Sequence, residues 1–272
     1  MPGRRTTDAS GFAQGRDYVE SLARGLAVLR AFDAGHPALT LPALAARTGL
    51  SRAAVRRLVL TLEHLGYLRA VGREYVLSPR VLELGFGCLG SLRLTDLAQP
   101  LIEPLARRVN HSCSMAVLDG ASIVYVLRVP VRRVMTVALG VGARLPAYAA
   151  SMGRVLLAGL APEALDAWLA GCRPERLTAH TVTDPGRLAR IVASVRAQGY
   201  AYVEQELELG LCSIAVPIHD REGRVVAALN ASLPYHADAA RHAVDEVLPE
   251  LRAAAVAVER ALPPNTLPPV GA

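Results

Sequence analysis

Residues 41–60 read Leu-Pro-Ala-Leu-Ala-Ala-Arg-Thr-Gly-Leu-Ser-Arg-Ala-Ala-Val-Arg-Arg-Leu-Val-Leu. The spacing predicts a helix-turn-helix. Ala45 is small enough for two crossing helices to touch there. Four positions on, Gly49 supplies the turn, because glycine adopts positive φ without steric cost. Ser51 is placed to cap the second helix, its hydroxyl accepting a bond from an orphan backbone N–H. Val55, Leu58, Val59, Leu62 and Leu65 recur at three- and four-residue steps and predict one buried face. Arg52, Ala53, Arg56 and Arg57 fall outside that stripe. A helix with arginines on its open face suits a DNA major groove, where Arg pairs with guanine edges and phosphates. The plainer alternative is a two-helix corner without DNA, its arginines simply solvated.

The flanks extend the pattern. Thr40 is the expected cap of the preceding helix, with Pro42 tolerated in its first turn. Upstream, Ser21 is expected to cap a helix running to about Phe32, with Leu22, Leu26, Leu29 and Phe32 turned inward. Arg24 near its start is within reach of a DNA backbone or of solvent. Downstream, strands over residues 67–69 and 75–77 bracket Val71-Gly72-Arg73-Glu74 as a β-wing. Arg69 and Arg73 stand where a wing meets phosphates or the minor groove. Residues 18–79 thus read as a winged helix-turn-helix, after a disordered arm over 1–17 that lacks the apolar core of a signal peptide. Charge follows the same division. Residues 1–80 hold 12 Arg against 6 acidic residues, whereas the remainder holds 18 of each, so the net +6 lies with the helix-turn-helix.

Residues 80–94 are apolar at helical period and predict a linker helix, buried against a partner subunit or its own domain. Beyond it, residues 95–262 read as an α+β domain with a mostly antiparallel sheet. A helix over about 95–109 precedes strands at 113–118 and 123–129, joined by Asp119-Gly120, and a third at 134–139. The loop 149–153 leads into a helix over 154–160. Helices at 162–170 and from Asp184 to Gly199, strands at 200–206, 213–218 and 225–231, and a closing helix over 239–262 complete it. A tail over 263–272 is expected to fray. Apolar content of 52% supports a sizeable core, and no run of apolar residues is long enough to span a membrane.

Chemistry is sparse. Cys88, Cys113, Cys172 and Cys212 form no CxxC pair and read as reduced thiols of a cytoplasmic protein. The seven histidines lack metal-ligand spacing, and Cys113 near His111 is weak evidence for a nucleophile. No catalytic residue, metal or cofactor is expected. A binding pocket is better supported. Ser151-Met152-Gly153 precedes a predicted helix, where backbone N–H groups favour a carboxylate, and Arg154 adds a cation. The polar segment 204–210 suits a pocket rim. Ser213, Asn230 and Ser232 interrupt apolar strands and require partners if buried. Each alone is ordinary; jointly they point to a small organic acid ligand.

These stretches together resemble the IclR family of bacterial transcription regulators. The carriers are residues 21–29, 41–60, 65–68, 142–154 and 210–217. Met-Thr-Val-Ala-Leu-Gly-Val-Gly (135–142) and Gln-Glu-Leu-Glu (205–208) resemble the aromatic-catabolism branch. The resemblance implies a winged helix-turn-helix joined by a linker helix to a GAF-like effector domain. It implies a homodimer or dimer of dimers on double-stranded operator DNA, with no membrane partner. In this branch the ligands are protocatechuate, 4-hydroxybenzoate or β-ketoadipate. The implied pocket takes Met135, Tyr148, Ser151, Met152, Gly153, Arg154, Val203, Glu204, Leu211, Ser213, Asn230 and Ser232. Cys212 stands where the family usually has Arg, so the carboxylate's cation falls to Arg154, Arg128 or Arg132. The alternatives are an IclR-type regulator of another carboxylate pathway, a ligand-independent DNA binder, and an enzyme with a DNA-binding head.

Overall fold

The computed structural model describes residues 18–33, 35–84, 94–131 and 140–262. The expected arm, most of the linker helix, the strand at 134–139, the tail, and with them Cys88, Arg132 and Met135, lie outside the described residues. The chain divides into two compact units, residues 1–88 and 89–272.

In the first unit α1 (Glu20–Arg30), β1 (Ala38–Thr40), α2 (Leu41–Thr48) and α3 (Arg52–His64) lead into β2 (Leu68–Val71) and β3 (Glu74–Leu77). Local chemistry sets the boundaries. Thr40 Oγ1 accepts the Ala43 N–H at 3.3 Å, and Ser51 Oγ accepts that of Ala54 at 3.2 Å. Gly49 ends α2 at φ +69°, a conformation glycine adopts without strain. Val28, Leu44, Val55, Val59, Leu62 and Leu68 are buried at the centre. The wing is a three-stranded sheet ordered β1-β3-β2, because Leu39 of β1 pairs with Tyr75 of β3. A three-residue strand carries too little periodicity to be read from sequence.

Two expectations for α1 need correction. Ser21 does not cap it: the helix begins at Glu20 after an extended Val19, so Ser21 already lies in the first turn. Leu22 and Leu26 are not covered within the unit but 62% and 47% exposed, and Leu65 at the end of α3 is 48% exposed. α1 packs on α3 through Val28, which leaves the flanking leucines along an open groove.

The second unit opens with α4 (Leu94–Val109), which runs on through Pro100 and Pro104. Among the described residues a six-stranded sheet follows, built from β4 (Ser112–Asp119), β5 (Ser122–Val129), β6 (Arg144–Pro146), β7 (Ala201–Glu204), β8 (Leu211–His219) and β9 (Val225–Pro234). Its order is β6-β5-β4-β9-β8-β7, and every neighbouring pair is antiparallel. The helices are α5 (Ser151–Ala158), α6 (Pro162–Gly171), α7 (Pro185–Gln198), α8 (Ala239–His242) and α9 (Leu248–Ala261), the last two joined by a π-helical turn, Ala243–Val247.

Strand side chains alternate between faces, and the two faces differ in size. Met115, Ile214, Val216 and Leu229 meet Ile102 and Leu105 of α4 and Leu251 and Val258 of α9. On the opposite face Ala116, Ala201, Ala215 and Ala228 are small, which lets α5 approach with Met152, Val155 and Leu156. The helix expected at 154–160 therefore begins three residues earlier, and Ser151-Met152-Gly153 forms its first turn rather than a loop.

Candidate functional site

α3 turns its core stripe inward and leaves Ser51, Arg52, Ala53, Arg56 and Arg57 exposed. Arg52, Ala53 and Arg56 share the outer face of its first turns. Arg57 is rotated away and lines the groove beside α1, together with Glu20, Ser21 and Arg24. Arg24 pairs with Glu20. On the wing Arg69 and Arg73 are exposed, either side of a tight turn at Gly72, φ +63°. Among the described residues no carboxylate lies within ion-pair distance of Arg52, Arg56, Arg57, Arg69 or Arg73. Arg80, by contrast, lies over the Tyr67 ring at 5.8 Å and pairs with Glu83 at 3.3 Å.

In the second unit a cavity of about 20 Å³ lies between the small-residue face of the sheet and the N-terminus of α5. Its walls include Ser151, Met152, Val203, Leu211, Ser213, Asn230 and Ser232, each anticipated from sequence. Register brings the strand residues together: Val203 faces Ser213, Ser213 faces Ser232, and Asn230 follows two positions earlier on the same face of β9. Two buried polar atoms here, Ser151 Oγ and Asn230 Oδ1, have no hydrogen-bond partner among the described residues. Buried polar groups ordinarily have one, so these atoms call for water or a ligand. The first turn of α5 adds backbone donors, since its cap residue Ala150 supplies no side-chain acceptor.

Of the other anticipated residues, Tyr148, Gly153, Arg154 and Glu204 stand outside the cavity wall, and Met135 lies outside the described residues. The Arg154 guanidinium donates to Glu206 Oε2 at 2.7 Å and to the Tyr148 carbonyl at 3.0 Å. Glu206 Oε2 also accepts the Val182 N–H at 2.9 Å. With side chains 3% and 9% exposed, Arg154 and Glu206 form a buried, mutually neutralised pair. The Tyr148 hydroxyl is closed on Glu175, donating to its carbonyl at 2.9 Å and accepting its N–H at 3.0 Å. Glu204 accepts from the Tyr202 hydroxyl at 2.9 Å. Gly153 acts through what it lacks: a Cβ there would sit 2.1 Å from the Ala147 carbonyl oxygen. Only glycine lets the turn Ala147–Ala149 fold onto α5 and bring Ala149 and Ala150 to the cavity.

Sequence reading missed Tyr125, Leu145, Ala149 and Ala150 as wall residues, whereas Leu207 comes from the segment 204–210 expected at a pocket rim. Apolar walls carry the same residue types as the core, so nothing in the sequence separates them. Burial pushes the Tyr125 phenol up to about 12, which keeps it neutral. Burial likewise pushes the Cys113 thiol up to about 12, which removes it as a nucleophile. Among the described residues no group of three His, Cys, Asp or Glu side chains suits a metal ion, and no helix is long and apolar enough to cross a membrane.

Comparison with known proteins gives two family matches. Residues 21–72 match the IclR helix-turn-helix domain, and residues 86–260 match the bacterial transcriptional regulator IclR C-terminal domain. The chain is 46% identical over 217 residues to the Pca regulon regulatory protein of Pseudomonas putida, covering 79% of this chain and 75% of that one. It is 37% identical over 241 residues to the p-hydroxybenzoate hydroxylase transcriptional activator of Acinetobacter baylyi, covering 87% and 89%. An IclR homolog from Microbacterium hydrocarbonoxydans, solved in complex with 4-hydroxybenzoate, superposes with a TM-score of 0.78 at 32% identity. That match covers 89% of this chain and 98% of the other.

Proposed function

The chain belongs to the IclR family of bacterial transcriptional regulators, close to those of aromatic catabolism, and on that premise we propose that it is a cytoplasmic sensor of a small organic acid of aromatic-compound breakdown. Operator DNA is read by Arg52 and Arg56 of α3, with Ser51 and Ala53 at the same face. Arg24, Arg57, Arg69 and Arg73 hold phosphates. The effector, 4-hydroxybenzoate, protocatechuate or β-ketoadipate, enters the second unit's cavity, and the regulated genes serve aromatic-compound breakdown. No reaction is catalysed.

The observation that carries the sensor reading is the pair of buried atoms, Ser151 Oγ and Asn230 Oδ1, without partners among the described residues, in one cavity walled largely by Tyr125 and aliphatic side chains. A few placed polar groups in an apolar pocket are what a small aromatic acid requires. The cavity of about 20 Å³ has room for water but not for such an acid. Binding therefore requires opening, and the observed affinity is lowered by the population of the open form. A thermal-shift panel of the three acids tests the reading. Saturation at about 100 times Kd stabilises the binding unit by about 2.7 kcal/mol. A shift with one of the three supports the branch. Shifts confined to aliphatic acids outside the panel favour a regulator of another carboxylate pathway, and none at all with any acid favours a ligand-independent DNA binder.

The homodimer is proposed on the groove of the first unit. Leu22, Leu26, Leu65 and Leu84, all about half exposed, line about 670 Å³ of open apolar groove. Its rim holds Glu20 beside Arg24 and Arg57. A rim of both signs is self-complementary about a two-fold axis, so a second copy of this chain fits it.

A further inference from the structure

An acid in a buried cavity needs a counter-charge, and this inference rests on the acid-sensor reading above. Arg154 is unsuited, because Glu206 already neutralises it. Arg128 on β5 differs. It is half-buried, and among the described residues no carboxylate pairs with it. Its Nη1 lies 3.5 Å from Ser114 Oγ, the outer limit of a hydrogen bond. Register places it. Arg128 faces Ser114 on β4, and Ser114 faces Asn230 on β9, so the three form one row across three strands. Asn230 ends that row at the cavity wall with its Oδ1 unpartnered. The Ser114 contact turns the guanidinium toward β4, the strand between Arg128 and Asn230, and both Arg128 and Ser114 stand just outside the residues that line the cavity. It also acts on Tyr125, another wall residue, opposing the rise that burial imposes on that phenol.

We propose that Arg128 binds the carboxylate of the effector, drawing it along the row formed by Ser114 and Asn230. The Arg fork meets a carboxylate with two parallel N–H···O bonds, and a half-buried site is screened less than a surface one. The hydroxyl end of an aromatic acid is then left toward Ser151 and the polar strand ends. The arrangement selects for charge at one end of the ligand.

The test uses the full chain in three forms: wild type, Arg128→Gln and Arg128→Lys. Each is titrated calorimetrically with 4-hydroxybenzoate, with protocatechuate, and with the neutral amide of each. The expected result is a wild-type preference for acid over amide. Arg128→Gln loses roughly tenfold or more in acid affinity, as for a lost charge-assisted hydrogen bond, while amide affinity is unchanged. Arg128→Lys falls between. Unchanged amide binding also shows that the variant is folded. Retention of the full acid preference in Arg128→Gln overturns the proposal and moves the carboxylate to the α5 N-terminus. Equal loss of acid and amide also overturns it, as a structural role only. If wild type binds neither of these acids nor β-ketoadipate, the acid-sensor reading itself falls and this inference with it; binding of β-ketoadipate alone keeps that reading and overturns this inference for an aromatic acid.

Discussion

Arg154 and Glu206 show how one residue's partner decides its role. Read in sequence, Arg154 is a cation at a helix start, suited to a ligand's carboxylate. In the fold its guanidinium meets Glu206, and Glu206 in turn holds the Val182 N–H and ties the segment after β7 to α5. Removing one member leaves the other charged and buried. Glu206→Ala is therefore expected to destabilise the second unit by about 3–5 kcal/mol, measured by urea unfolding. Arg154→Met with Glu206→Leu together should recover much of that loss, since neither charge is then stranded. On α3, Arg56→Ala should weaken operator binding by about 1–3 kcal/mol relative to random DNA if the side chain reads a base. Equal loss on both DNAs assigns it to a phosphate. Arg57, turned toward α1, should show mainly the second behaviour. Cys113 gives a simple chemical check. With its thiol pushed up to about 12, alkylation at pH 8, mapped peptide by peptide, should leave it unmodified in the native protein.

At the level of elements, α5 is the piece on which the cavity depends. Its N-terminus reaches the sheet because the facing strand positions are alanines and because Gly153 has no Cβ. Gly153→Ala drives a methyl into the Ala147 backbone, which cannot rotate aside as a side chain does. A loss of about 1–3 kcal/mol from overpacking is expected, together with a weakened effector response, because Ala149 and Ala150 are displaced with the turn. What was legible in sequence follows from the same physics. Caps and periodicity act locally, so Thr40, Gly49, Ser51 and the stripe through Val55, Val59 and Leu62 identified the helix-turn-helix. Polar residues breaking apolar strands identified Ser213, Asn230 and Ser232 before their strands were paired. The short strands β1 and β6 were not legible, because each owes its existence to a partner far along the chain. The exposure of Leu22 and Leu26 was hidden for a related reason: an apolar stripe reports that a face wants covering, not whether the same chain covers it.

Across the whole molecule, each unit has its own core and the excess positive charge belongs to the first, so binding and stability separate by unit. A ligand that binds only the native second unit raises only that unit's stability. Control of DNA binding then requires that the ligand's affinity differ between two states of the assembled protein, since equal affinity for both shifts nothing. A two-fold assembly supplies such states, because the spacing of paired α3 helices must match paired half-sites, about one helical turn of DNA apart. On the homodimer proposed above, the groove along α1 is the seam of that assembly. Leu26→Asp places a carboxylate in its apolar floor, where an isologous contact sets two such charges near each other. Leu26 is 47% exposed within its unit, so the substitution should leave the unit's own stability nearly unchanged. Sedimentation velocity at micromolar protein is then expected to show a lighter species than wild type, and operator affinity to fall with it. A variant that sediments as wild type and still binds the operator would place the seam elsewhere.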